Sequence, residues 1–164
     1  MRAMAVDPGD KRWGLAVSDE DGELAHPRPA LVLRGSGGAG GGAAGGGAAG
    51  EALVALAAVA RDEAVEVIVV GLPLELTGRE GTAARKARAL ATEIARVTGR
   101  AVALWDERLS SVAASRSLRA QGLSAKQQRG KVDSVAAALL LQSYLDAAPE
   151  VRARARMRAD GGLA

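Results

Sequence analysis

The spacing of apolar positions changes along this chain, and each change marks an element. At the start, AMAV and GLAVS are short apolar runs separated by the polar stretch DPGDKRW, a pattern that predicts two strands joined in a hairpin. SDEDG then marks a second hairpin, and ELAHPRPALVL a third strand whose prolines suit a sheet edge. The Gly/Ala run from Arg34 to Gly50 is read as a tolerated insertion at 35–50. EALVALAAVARDEA after it has the apolar spacing of a helix.

Next comes VEVIVVG, β-branched and almost without polar alternation, as a central parallel strand buried on both faces requires. GLPLELTGREG forms a loop at its carboxyl end. Thr77 and Glu80 stand at capping-box spacing for the following helix, in which Ala83, Ala87, Leu90 and Ile94 make the apolar stripe. AVALW is another short strand and closes on Asp106-Glu107-Arg108. Two helices complete the pattern: SSVAASRSLRAQG, capped by Ser110 or Ser111 and stopped at Gly122, and VDSVAAALLLQSYLDAA. Three meandering antiparallel strands followed by alternating helices and strands predict an α/β fold, with a mixed sheet flanked by helices on both faces. One domain over 1–147 accounts for these elements, and 148–164 is expected to be a basic, flexible tail.

Composition narrows the chemistry. The chain has no Cys, which excludes disulfides, thiolate catalysis and thiolate-held metals. Its single histidine, His26, is flanked by prolines on the expected edge strand and reads as structural or exposed, so a Ser-His-Asp triad is disfavoured. No apolar run approaches a membrane span, and MRAMAVDPGDKR lacks the core of a signal peptide; a soluble cytoplasmic protein without a membrane partner is the expectation. There is no Phe, so the core falls to Ala, Val, Leu and Ile, which lets helices pack closely.

What remains for chemistry is carboxylates. Asp7 has two readings: ordinary Asp-Pro-Gly turn chemistry, with Gly9 at positive φ, or a metal ligand held at a strand end. In an open α/β sheet, ligands gather beyond the carboxyl ends of parallel strands, where both Asp7 and Asp106-Glu107 would lie. Asp133 shares a helical face with Ala137, Leu140 and Tyr144, so it is either the cap of that helix or an acid that needs a cation. Three such oxygen donors, with neither Cys nor a suitable His, favour Mg²⁺ or Mn²⁺ over zinc. Two such ions about 4 Å apart, sharing Asp7, would suit phosphodiester hydrolysis.

Charge points the same way. The net charge is +3, but from Ser110 onward there are 9 basic and 4 acidic residues. Arg108, Arg116, Arg119, Lys126, Arg129 and Lys131 follow one another with no carboxylate between Glu107 and Asp133. Such a run is either a solvated helix face or a grip on a polyanion such as RNA or DNA.

Four ordered blocks, DPGDKRWGLAVSD, VVGLPLELTGREG, WDERLSSVAA and VDSVAAALLLQSYL, closely resemble the signature blocks of the YqgF or RuvX family, the Holliday junction resolvase or pre-16S rRNA nuclease group. The resemblance implies an RNase H-like fold with a five-stranded mixed sheet and an acidic site for divalent metal. It also implies Asp7, Glu107 and Asp133 as catalytic acids and metal ligands, with Asp106 an outer neighbour. Lys11, Arg12 and Arg108 would face phosphate or brace the acids, and Arg129 and Lys131 belong to the basic run expected to bind nucleic acid. The pattern departs at Leu76-Thr77, where members commonly carry a polar-acidic pair. Metal-dependent cleavage in pre-16S rRNA 5′-end processing is the expected activity, by a monomer or homodimer. The alternatives are junction resolution, which calls for a two-fold dimer, and a non-catalytic nucleic-acid-binding module. The DxGxxxxG spacing also suits an actin-like ATPase, a fold that needs two such domains where this chain has room for one.

Overall fold

A computed structural model describes residues 1–34, 47–109 and 132–156. Five strands, β1 (Ala3–Pro8), β2 (Arg12–Ser18), β3 (Ala25–Val32), β4 (Val67–Leu72) and β5 (Ala101–Asp106), form one sheet in the order β3-β2-β1-β4-β5. β2 runs antiparallel to β1 and β3, whereas β1, β4 and β5 are mutually parallel. The parallel strands therefore open their carboxyl ends on one rim. Helices α1 (Ala48–Asp62) and α2 (Thr82–Thr98) cover one face, and α3 (Val132–Asp146) covers the other. This is the mixed five-stranded α/β sheet that the apolar pattern and the resemblance predict.

Strand alternation divides the core in two. Met4, Val6, Ile68, Val70, Val102 and Leu104 pack with α1 and α2. Ala3, Ala5, Val67, Val69, Ala103 and Trp105 pack with α3. All six residues of β4 are buried, as its unbroken apolar run requires. On the α3 face the strand residues are small except for Trp105, and the helix supplies Leu140, Leu141 and Tyr144. Tyr144 meets Trp105 edge to face at 5.2 Å between ring centroids.

Two polar residues lock α3 in place. Gln142 accepts from the Ala25 N–H (2.9 Å) and donates to the Glu23 carbonyl (2.9 Å). Ser134 donates to the Arg28 carbonyl and accepts from the Leu15 N–H. Both side chains are buried, so these bonds satisfy groups that would otherwise be costly, and they fix the register of the helix on β2 and β3.

Several expectations are corrected. β1 continues through Asp7, which pairs with Gly14, and the turn is only Gly9 to Lys11. Gly9 does not take positive φ; it is needed because a Cβ there would stand 2.7 Å from the Arg12 carbonyl oxygen. Helix α1 starts at Ala48, so the last three residues of the supposed 35–50 insertion are helical, in keeping with the helix propensity of alanine. The capping box is absent: α2 begins only at Thr82, so Thr77 and Glu80 both precede it, and it is entered from Gly81 without a side-chain cap. The buried stripe of α2 is Ala84, Ala87, Ala91 and Ile94, with Ala83 exposed.

The supposed flexible tail contains a further helix, α4 (Pro149–Ala155). Proline at its start needs no donor, Arg152 lies 5.9 Å from the Tyr144 ring centre, and Ala155 packs on the α3-side core. His26 is exposed on the edge strand β3, beside Pro27, as expected. The helix expected from Ser110 to Gly122 lies outside the described residues. Among the described residues, no helix is long and apolar enough to cross a membrane.

Candidate active site

Side-chain alternation decides which acids meet. Along β1, Ala3 and Ala5 face α3, so Asp7 does too. Along β5, Ala103 and Trp105 face α3, which turns Asp106 to the opposite face, while Glu107, just beyond the strand, reaches the α3-side cavity from the turn that follows. Glu107 opens the short 3₁₀ turn Glu107–Leu109 directly after β5. Asp7 and Glu107 line one cavity of about 220 Å³, whose far wall is Ala136 and Leu140 of α3.

Between them lies a gap in the sheet surface at Gly71. The register pairs Val6 with Val70 and Gly71 with Trp105, so continuing it sets Asp7, Gly71 and Trp105 in one row. A Cβ on Gly71 would come within 2.6 Å of Glu107 Oε1 and 3.2 Å of its Cγ. The missing side chain is therefore what admits the Glu107 carboxylate over the sheet. Burial, together with the charges of Asp7 and Asp106, raises the Glu107 pKa above the ordinary glutamate value.

Asp106 has a different task. Arg108 grips its carboxylate through Nε (3.0 Å) and Nη2 (2.7 Å), and the Arg108 N–H donates to the same group (2.9 Å). Hydrogen bonding from Arg108 holds the Asp106 pKa below the usual aspartate value. The other arm of the guanidinium donates to the carbonyls of Glu75 and Leu76, each at 3.4 Å. That loop is itself a tight turn, with Gly78 at φ 82° and its N–H donating to the Glu75 carbonyl. On the α3 side, the Trp105 Nε1–H donates to Ser143 Oγ (3.0 Å), and Ser143 donates to the Leu109 carbonyl (2.8 Å). The turn carrying Glu107 is thus held from both faces of the sheet.

The other expected residues fall as follows. Asp133 is the second residue of α3, at helical spacing from Ala137 and Leu140. Lys11 is exposed in the β1–β2 turn, and Arg12 is exposed at the start of β2. Arg129 and Lys131 lie outside the described residues. Sequence reasoning missed Gly71 and Ser143. Alternation along VIVVGL places the glycine on the α3 face, but nothing local shows that a carboxylate from another strand needs the space.

Carboxylate oxygens are the donors that Mg²⁺ and Mn²⁺ prefer, and the cavity brings the carboxylates of Asp7 and Glu107 together, whose negative charge a divalent cation would offset. Among the described residues, no group of three or more ligand-type side chains stands together; the acids that line the cavity are Asp7 and Glu107.

One reversed strand in five, helices on both faces, and acids at the carboxyl ends of β1 and β5 define an RNase H-like domain. Comparison with known structures agrees: RuvC of T. thermophilus, solved in complex with a Holliday junction substrate, superposes with a TM-score of 0.57 at 16% identity, over 88% of this chain and 92% of that one. The chain belongs to the RuvX family, described as Holliday junction resolvase, whose pattern it matches over residues 1–147. Curated relatives named "Putative pre-16S rRNA nuclease" include one from Anaeromyxobacter dehalogenans, 46% identical over 89% of this chain and 97% of that protein. Another, from Mesorhizobium japonicum, is 37% identical over 95% of this chain and 86% of that protein.

Proposed function

We propose that this protein is a divalent-metal-dependent nuclease that hydrolyses phosphodiester bonds, with precursor 16S rRNA as its substrate and 5′-end processing as its role. The observation that carries this reading is the meeting of Asp7 and Glu107 in one cavity at the carboxyl rim of the sheet. Membership of the RuvX family agrees with this reading, and the relatives' shared name supplies the substrate.

Asp7, Glu107 and Asp133 would hold the Mg²⁺ or Mn²⁺. Bound there, the metal would activate a water for in-line attack and neutralise charge on the leaving oxygen. The protein's own part is orientation. The sheet fixes Asp7 within a hydrogen-bonded ladder, and the Gly71 gap seats Glu107. Arg108, through Asp106, keeps the neighbouring loop close. Lys11 and Arg12 stand exposed where a phosphate backbone would cross the rim, and Arg129 and Lys131 would extend the grip.

The test incubates wild type and Asp7→Asn with end-labelled single-stranded RNA, single-stranded DNA and a four-way DNA junction, with Mn²⁺, Mg²⁺ or chelator. Metal-dependent RNA cleavage that Asp7→Asn abolishes is the expected result. The family description favours junction resolution as the second reading, and cleavage of the junction alone would establish it. Binding without cleavage of any substrate would overturn both in favour of a non-catalytic module.

A further inference from the structure

Glu107 borders two cavities. Besides the one it shares with Asp7, a larger cavity of about 460 Å³ opens on the opposite face, between the Gly9 turn and α2. Its walls include Pro8, Pro73 and Leu90, and its polar groups are Asp10, Thr82 and Lys86. That size lies within the roughly 300–1,000 Å³ range of small-molecule pockets, and apolar walls with a few polar groups are their usual lining.

From this we infer that the larger cavity receives an unpaired nucleotide adjoining the scissile phosphate, with its base against Pro8, Pro73 and Leu90 and its phosphate on Lys86. The inference rests on the rim being a nucleic-acid site and specifies the substrate there as single-stranded. Flat apolar surfaces suit the face of a base, and the ammonium suits a phosphate oxygen. Asp10 and Thr82 are within the same cavity for hydrogen bonds to a base edge or ribose hydroxyl.

Charge on α2 supports this use of Lys86. Arg88 is taken up by Glu80 and Arg96 by Glu93, while Lys86 forms no ion pair among the described residues and faces the cavity. No acid occupies the first turn of α2. Because Glu107 borders both cavities, a strand crossing the rim passes from the acidic cavity directly into this one. A base in a duplex is held in its stack and cannot enter without unpairing.

The experiment measures binding of a short single-stranded RNA to the full chain in chelator, by fluorescence anisotropy, so that cleavage plays no part. Two variants leave Asp7 and Glu107 untouched: Ala83→Phe, which fills the cavity from an exposed helix position, and Lys86→Ala. Each is expected to weaken binding about tenfold. Removing one base from the RNA is expected to cost wild type a similar factor and Ala83→Phe nothing further. Thermal unfolding checks that both variants are folded. Variants that bind as wild type does, base removal that costs Ala83→Phe as much as wild type, or no binding by wild type would each overturn the inference. Base-dependent binding lost in the variants, with no substrate cut under any metal, would leave this cavity standing and sink the nuclease reading; cleavage with indifferent variants would do the reverse.

Discussion

Gly71 and Glu107 occupy what is nearly one place: a Cβ on the glycine would lie 2.6 Å from the glutamate's Oε1. A strand glycine ordinarily weakens a sheet, and replacing it with alanine restores intrinsic strand stability. Here Gly71→Ala is expected to displace the Glu107 carboxylate and lower the cleavage rate by about a hundredfold, the order of loss that a 1 Å misplacement causes. Thermal unfolding of the same variant should show no comparable loss. Full activity in Gly71→Ala would show that the Glu107 position does not matter.

The acid pair also predicts a pH dependence. Folding raises the Glu107 pKa, through burial and the charges of Asp7 and Asp106. The fold therefore prefers its protonated form. The stability this group contributes is complete below its unfolded pKa and is lost as pH rises through the folded value. In chelator, the Tm of wild type is expected to fall as pH rises above the ordinary glutamate range, and Glu107→Gln should lack that component. Mg²⁺ or Mn²⁺ should restore wild-type Tm at neutral pH and leave Glu107→Gln less affected.

Asp106 has the opposite sign. Arg108 holds its pKa low, so its contribution is present above the unfolded aspartate value and disappears as pH falls through the folded one. Arg108→Lys cannot reproduce the fork that spans Asp106 and the Glu75 and Leu76 carbonyls. Faster amide hydrogen exchange around Leu76 to Gly78 is expected in that variant. Unchanged exchange there would mean that the loop holds its shape without the arginine.

Ser143 is the corresponding tie on the α3 side. Ser143→Ala removes one hydrogen bond to Trp105 and one to the Leu109 carbonyl, at a cost of about 1–2 kcal/mol in unfolding free energy. Denaturant unfolding followed by tryptophan fluorescence would measure it. A reduced cleavage rate in the still-folded variant would place the Leu109 anchor among the supports of Glu107.

How much of this was legible in the chain varies from residue to residue. The order of strands and helices follows from apolar spacing, and β4 reads as doubly buried because Val67, Ile68, Val69 and Val70 leave no polar face. Asp7 could be placed near the rim because it follows an apolar run. The missing cap at Thr77 was not legible: Thr77 and Glu80 satisfy the motif, but the loop after β4 runs on to Gly81 before α2 begins. Nor was helix α4, since its few apolar residues gain their value from α3 and β5, which lie next to them only after folding.

The sequence by itself determined the alternation of each strand and which acids, Asp7 and the Asp106-Glu107 pair, lie at strand ends. That information is local, because the two-residue period of a strand is set by backbone geometry. Tertiary structure decided the rest: that β1 and β5 flank β4 in parallel, that the space for Glu107 is the side chain Gly71 lacks, and that one glutamate borders two cavities. Those relationships join residues far apart in the chain, and contacts of that kind exist only once hydrophobic burial has brought the sheet and its helices together.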